Sequence, residues 1–226
     1  VQKLKLGVWG GPGRGKTYTV CSAPPPVYVL ETEYGISQLF KQFPEKDIKV
    51  VHVNVASGDD IVQDACASLA LVEEALDALA DLTEGTIAID SVSDVWQWVQ
   101  MRMKSEILEL GPTARIQPSD YTWGNVYYKK IMMKARSIGT HLVLTAHEQE
   151  KFSDARLTST GIYVARWQKW TPQYIDAVVH LTPPADESSK LINVGVVNKC
   201  RFMSLFNKRY ENFQFSSIFE DIKGFL

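Results

Sequence analysis

Apolar residues in this chain fall into short unbroken runs separated by polar stretches, the pattern of strands buried on both faces and joined by helices. Leu4-Lys5-Leu6-Gly7-Val8-Trp9, Val27-Tyr28-Val29-Leu30, Thr86-Ile87-Ala88-Ile89-Asp90, His141-Leu142-Val143-Leu144-Thr145-Ala146 and Ala177-Val178-Val179-His180-Leu181 each read as such a strand, and 49–55 as another. Helical spacing takes over in 61–82, which Ser57-Gly58-Asp59-Asp60 can cap, and in 92–110 and 121–137. The helix that follows the first strand is predicted to be short, because Ala23-Pro24-Pro25-Pro26 removes N–H donors and restricts the preceding residue. Residues 111–120 and 148–173 show no clean period and read as loops. Residues 191–197 and 201–206 read as hairpin strands, with 211–215 adding one more. These elements predict an α/β fold: a mostly parallel central sheet flanked by helices, with a C-terminal antiparallel hairpin extension.

At 226 residues the chain is predicted to form a single domain, 1–226, with a sizeable core. Its net charge of −2 gives no global basic field that would advertise nucleic acid or an anionic membrane, so any such contact has to be local. Cys21, Cys66 and Cys200 are far apart, have no metal-ligand spacing and read as reduced thiols, which points to a cytoplasmic setting. No apolar run is long enough to span a bilayer, and no signal peptide is visible.

The sharpest chemical signal is Gly10-Gly11-Pro12-Gly13-Arg14-Gly15-Lys16-Thr17, which fits G-x-x-x-x-G-K-[ST] between a strand and a helix start. Glycines let backbone N–H groups turn inward on phosphates, and the helix start adds positive potential. Lys16 is expected on the β- and γ-phosphates, the Thr17 hydroxyl on Mg²⁺, and Tyr18 alongside the bound nucleotide. Only ten residues into the sequence, this loop leaves no room ahead of it for an accessory domain. Asp90 closes a buried strand in the Walker B position, where it would hold Mg²⁺ through water. The residue after it is Ser91 rather than Glu, so a carboxylate that polarises the attacking water has to come from elsewhere. Glu31 and Glu33, at the end of the neighbouring strand, are the candidates. His147 leaves the strand 141–146 either as a γ-phosphate sensor or as an ordinary polar residue.

Two basic features remain. Residues 151–172 carry Lys151, Arg156, Arg166 and Lys169 against a single acid, with Phe152, Tyr163, Trp167 and Trp170 interleaved. Cations neutralise the backbone of a single strand and aromatic rings stack on its bases, although the same residue types also serve protein interfaces. Lys199-Cys200-Arg201 places two cations at alternate positions, hence on one face of a strand.

Taken together, these motifs in this order resemble the RecA-type ATPase core, over nearly the whole chain. In that family the Walker B strand ends in Asp-Ser, as Asp90-Ser91 does. The catalytic Glu ends the strand after the P-loop helix; Glu31-Thr32-Glu33 matches that pattern and assigns the water to Glu33. A later strand carries a switch residue, usually Gln, leading into a DNA-binding loop; His147 stands in that place and 148–173 in that of the loop. A cation pair reaches the neighbouring subunit's ATP, a position matched by Lys199 and Arg201. The resemblance implies a Mg²⁺-dependent ATPase, stimulated by DNA and slow, that acts on single-stranded DNA as a ring or filament with ATP between subunits. Lys151, Arg156, Arg166, Trp167, Lys169 and Trp170 would contact the strand, with help from 111–120. A scaffold or switch that binds a protein partner, and a nucleotide kinase, are the alternative readings.

Overall fold

The computed structural model describes residues 3–107, 117–152, 159–184, 186 and 192–225. Its centre is a nine-stranded sheet made of β1 (Lys5–Gly10), β2 (Val27–Glu31), β3 (Ile48–His52), β4 (Thr86–Asp90), β5 (His141–Phe152), β6 (Ser159–Ala165), β7 (Ala177–Thr182), β8 (Val194–Cys200) and β9 (Arg209–Glu211). The order is β3-β2-β4-β5-β1-β7-β8-β9, with β6 paired to the end of β5. Strands β3 to β7 along that order are parallel, and β8 and β9 continue antiparallel. This is the mostly parallel α/β architecture expected from the apolar runs.

Helices cover both faces. Alternate residues of the strands face α2 (Ile61–Ala78), α3 (Val92–Arg102) and α4 (Tyr121–Ser137) on one side, through Trp9, Leu30, Ile87, Ile89, Leu142 and Leu144. The other set, including Leu4, Leu6, Val8, Val27, Val29, Ala88 and Val143, faces α1 (Lys16–Ser22) and α5 (Phe215–Ile222). Asp60 caps α2 as its sequence suggested, accepting hydrogen bonds from the Val62 and Gln63 N–H groups.

Several boundaries differ from the sequence reading. The α2 helix ends at Ala78 rather than near 82, and β3 ends at His52. The α3 helix gives way to a π-helical turn at Met103–Ile107; residues 108–116, which hold most of the expected 111–120 loop, lie outside the described residues. The larger correction concerns 148–173. Strand β5 runs past the sheet and pairs antiparallel with β6, Glu148 opposite Ala165 and Lys151 opposite Ile162, so much of this stretch is a β-hairpin. Its ladder bonds give it order without a buried face, which is why no apolar period marks it. The expected strand at 201–206 is instead an irregular segment with a 3₁₀ turn at Met203–Leu205, and 215–222 is helix. Phe215, Ile218 and Ile222 form a buried stripe at helical spacing.

Candidate active site

The parallel strands bring their C-terminal ends level. Gly10 of β1 lies opposite His147 of β5, and Glu31 of β2 opposite Asp90 of β4. The P-loop, the end of β2 and the end of β4 therefore meet at one edge, where ligands bind in such sheets. A cavity of about 510 Å³ opens there, lined by Pro12 to Tyr18, Glu33, Leu39, Gln42, His147 and Ile192. Among the described residues that line it, Arg14 and Lys16 are the cations.

Gly13 and Gly15 hold φ of +70° and +85°, values a side chain disfavours. The Lys16 Nζ curls back to donate to the Gly10 and Gly11 carbonyls, each at 3.0 Å. Burial pulls its pKa down, while Asp90, Glu33 and Glu148 oppose that pull. Asp90 is buried, and its carboxylate accepts hydrogen bonds from the Thr145 and Thr17 hydroxyls. Desolvation pushes its pKa up. A buried carboxylate flanked by two hydroxyls suits a hard divalent cation, which Thr17 and Asp90 would hold.

The structure separates the two acids at the end of β2. Glu31 is buried; its Oε1 accepts from the Ile36 N–H at 2.6 Å, and the His52 ring lies 2.9 Å from Oε2. It is committed to the loop that follows the strand. Glu33 instead lines the cavity and pairs with the His147 Nε2. That hydrogen bond holds its pKa below the usual carboxylate value, against partial burial, with help from Lys16 and Arg166. His147 is itself positioned by its backbone N–H, which donates to the Ser93 hydroxyl at 2.9 Å.

Beside this pair lies Asp94, an acid in the first turn of α3 that sequence reasoning passed over. Its Oδ2 accepts from the Thr32 and Ser91 hydroxyls at 2.6 and 3.0 Å, tying the end of β2 to the end of β4. Glu33, Asp94 and His147 each place one ligand-capable atom within 4.8 Å of the others. Glu148 was likewise unassigned: its carboxylate reaches the back of the P-loop, 3.8 Å from where a Cβ on Gly11 would stand, and lies 3.5 Å from His180 Nε2. His180 in turn stacks on Trp9, ring centroids 3.6 Å apart. Leu39, Gln42 and Ile192 also escaped the sequence reading, because nothing local marks a residue that lines a pocket built by distant segments.

The other predicted residues fall elsewhere. Lys199 lies opposite Val178 at the start of β7, whereas the P-loop follows Gly10, level with Leu181 at the other end. The Lys199 Nζ donates to the Pro172 and Ile175 carbonyls, and Arg201, just beyond β8, pairs with Asp176 at 3.1 Å. Lys151 is on the hairpin; Arg166 follows it and reaches Gln97 of α3. Trp167 is half-buried against the core and lies over Gly7, while Trp170 is exposed beside α4 with the Lys169 Nζ 5.0 Å from its ring centre. Arg156 lies outside the described residues.

Comparison with known proteins follows the same lines. The family profile for the AAA domain matches residues 2–201. No curated protein matches the chain. Among solved structures, the RadB recombinase has a TM-score of 0.51 at 14% identity, over 92% of this chain and 86% of that one. An ATPase from the type III secretion system of pathogenic bacteria has a TM-score of 0.47 at 14% identity, over 80% of this chain and 52% of that one. Among the described residues no helix is long and apolar enough to cross a membrane. With a P-loop, a buried Asp90 and a parallel sheet that sets them side by side, the chain belongs to the AAA domain family and has a RecA-type P-loop ATPase core.

Proposed function

We propose that the chain hydrolyses ATP to ADP and phosphate with Mg²⁺, and that it does so in contact with single-stranded DNA. The observation that carries the first part is the convergence of Lys16, Glu33 and His147 on one cavity at the ends of β1, β2 and β5. Mg²⁺ held by Thr17 and Asp90 would neutralise phosphate charge. The P-loop amides and Lys16 hold the β- and γ-phosphates, and Glu33, ionised and exposed to the cavity, takes the proton of the attacking water. His147 orients Glu33 and reports the γ-phosphate to the strand it sits on.

That strand supports the second part. Beyond His147, β5 continues directly into the β5–β6 hairpin, so a shift at the nucleotide is delivered to an exposed arm that carries Lys151, with Arg166 at its base. At the arm's foot a cavity of about 380 Å³ is lined by Ser93, Trp96, Gln97, Gln100, Gln149, Arg166 and Trp167. Fluorescence anisotropy with a labelled oligothymidylate, with and without ATP, tests the reading. Affinity is expected to fall steeply with salt through counterion release, and Trp170→Ala to cost ~1–3 kcal/mol if its ring stacks on a base. No measurable affinity at low salt, in either nucleotide state, overturns it. A protein partner is the second reading, favoured by Ile162 and Tyr163, which are exposed on opposite faces of β6, Ile162 opposite Lys151 and Tyr163 opposite Glu150 of β5. The anisotropy experiment separates the two.

In the same proposal the working enzyme is a ring or filament in which Lys199 and Arg201 leave their own carbonyls and Asp176 to reach a neighbour's ATP. Transition-state charge on the γ-phosphoryl group gains from cations supplied in trans. Mixing Lys16→Ala with Arg201→Ala protein is expected to restore part of the activity that each lacks. A fully active Arg201→Ala protein, or no rescue in mixtures shown to co-assemble, rules out the trans role.

A further inference from the structure

We infer that Asn193 is a positioning residue for the phosphate loop, holding the Arg14 carbonyl outward so that the loop presents N–H groups to the nucleotide. The inference rests on the reading of residues 10–17 as a phosphate cradle.

Asn193 stands just before β8 and is 1% exposed. Its Nδ2 donates to the Arg14 carbonyl at 2.9 Å, across nearly the whole length of the chain. Its Oδ1 accepts from the Phe213 N–H at 2.8 Å, and its own carbonyl accepts from the Asn212 N–H at 2.9 Å. The amide is thus fixed at both ends and cannot rotate without orphaning a buried group. It also fills the space that a side chain at residue 15 would need: a Cβ on Gly15 would lie 2.7 Å from Asn193 Nδ2. Gly15, the last glycine of the loop, is therefore required by a specific neighbour as well as by its φ of +85°.

The same C-terminal segment holds the far end of the helix. Phe213 packs on Gly195, and the Phe215 N–H donates to the Ser22 hydroxyl at 2.9 Å, at the last residue of α1. Ile192, the residue before Asn193, donates its N–H to Asn212 Oδ1 at 2.8 Å and lines the nucleotide cavity. Segments 192–195 and 212–215 together grip α1 from loop to end. The physical need is plain. An empty cradle is a row of N–H groups with nothing to bind, and the loop relaxes unless its carbonyls have partners elsewhere. A carbonyl turned inward would face phosphate oxygens. Pre-setting Arg14 removes that cost from nucleotide binding.

The test compares wild type with Asn193→Ala in ADP affinity by calorimetry and in KM and kcat for ATP. Losing the clamp weakens ground and transition states alike, so ADP affinity falls and KM rises by about tenfold while kcat stays within about twofold. A residue that only supports the fold lowers the melting temperature and leaves KM unchanged; that result, in a folded variant, overturns the inference. Wild type itself is followed by NMR, where the Asn193 side-chain amide protons should exchange slowly with solvent and shift when ADP binds. Rapid exchange with no shift overturns the inference even if the variant does not fold. Wild type that binds no nucleotide overturns the cradle reading itself, a failure visible before any variant is compared.

Discussion

Lys16→Ala is expected to abolish ATP turnover. The Lys16 ammonium is nine-tenths buried and already turned to the carbonyls of Gly10 and Gly11, which marks where a stronger acceptor would take it. With ATP in the cradle, those bonds to uncharged carbonyls give way to ion-paired ones on anionic phosphate oxygens, each worth roughly 1.5–3 kcal/mol. Removing them lowers nucleotide affinity by about tenfold to a hundredfold, and removes a further share of the stabilisation of charge developing in the transition state. Phosphate release from purified variant and wild type measures this. A Lys16→Ala protein that hydrolyses ATP at the wild-type rate shows that the loop does not hold the reacting nucleotide.

Glu33→Gln is expected to bind ATP and hydrolyse it ~10²–10⁴-fold more slowly, the usual cost of losing a general base. Glu31→Gln should act differently. Its carboxylate accepts from Ile36 and faces His52, so its loss loosens the turn after β2 and is read as reduced stability with a smaller change in rate. The pH profile gives an independent check. Glu33 works as the anion, and His147 holds its pKa below the ordinary carboxylate value. The acid limb of kcat therefore lies below that value, activity falling only as pH drops through the lowered pKa. His147→Ala removes the principal cause of the lowering and moves the limb upward. Glu33→Gln silent beside a dead Glu31→Gln would transfer the role to Glu31.

How much of this site could be read from the chain depends on where its information is stored. The P-loop and Asp90 are local patterns: a glycine spacing and an acid closing an apolar run, both followed within a residue or two by the element that uses them. The absence of an acid after Asp90 pointed to Glu31 and Glu33 together, and only the resemblance to the RecA-type core singled out Glu33. Glu148 and Asn193 carry no local mark at all, and the mark that Asp94 carries, three residues after Ser91, reads as a helix start rather than a site. An acid in the first turn of a helix usually complements the helix end; Ser91 meets Asp94 locally, and the register of β2 against β4 brings Thr32 to the same carboxylate. Asn193 acquires its meaning from Arg14, far away in sequence. The hairpin was missed for a related reason. Strand β5 continues beyond its pairing with β1 as Glu148-Gln149-Glu150-Lys151, where polar residues follow polar residues and no apolar alternation marks a strand. In 213–222 two periods compete. Phe213 and Phe215 alternate as in a strand, but Phe215, Ile218 and Ile222 follow a helix, and burial of that stripe against α1 decides the outcome. The cation pair shows the limit of spacing arguments: β8 ends at Cys200, and Lys199 and Arg201 have each found a partner in their own chain.

The central claim is that the edge formed by β1, β2, β4 and β5 is a Mg²⁺-ATP hydrolysis site. The most direct measurement is calorimetric titration of the wild-type chain with ATP, in Mg²⁺ and then in excess chelator, with phosphate release followed in the same samples. The account predicts one nucleotide bound per chain, tighter in Mg²⁺, and phosphate release that stops when the chelator is added. A folded chain that binds no ATP in Mg²⁺, or one that releases phosphate equally well in chelator, contradicts it.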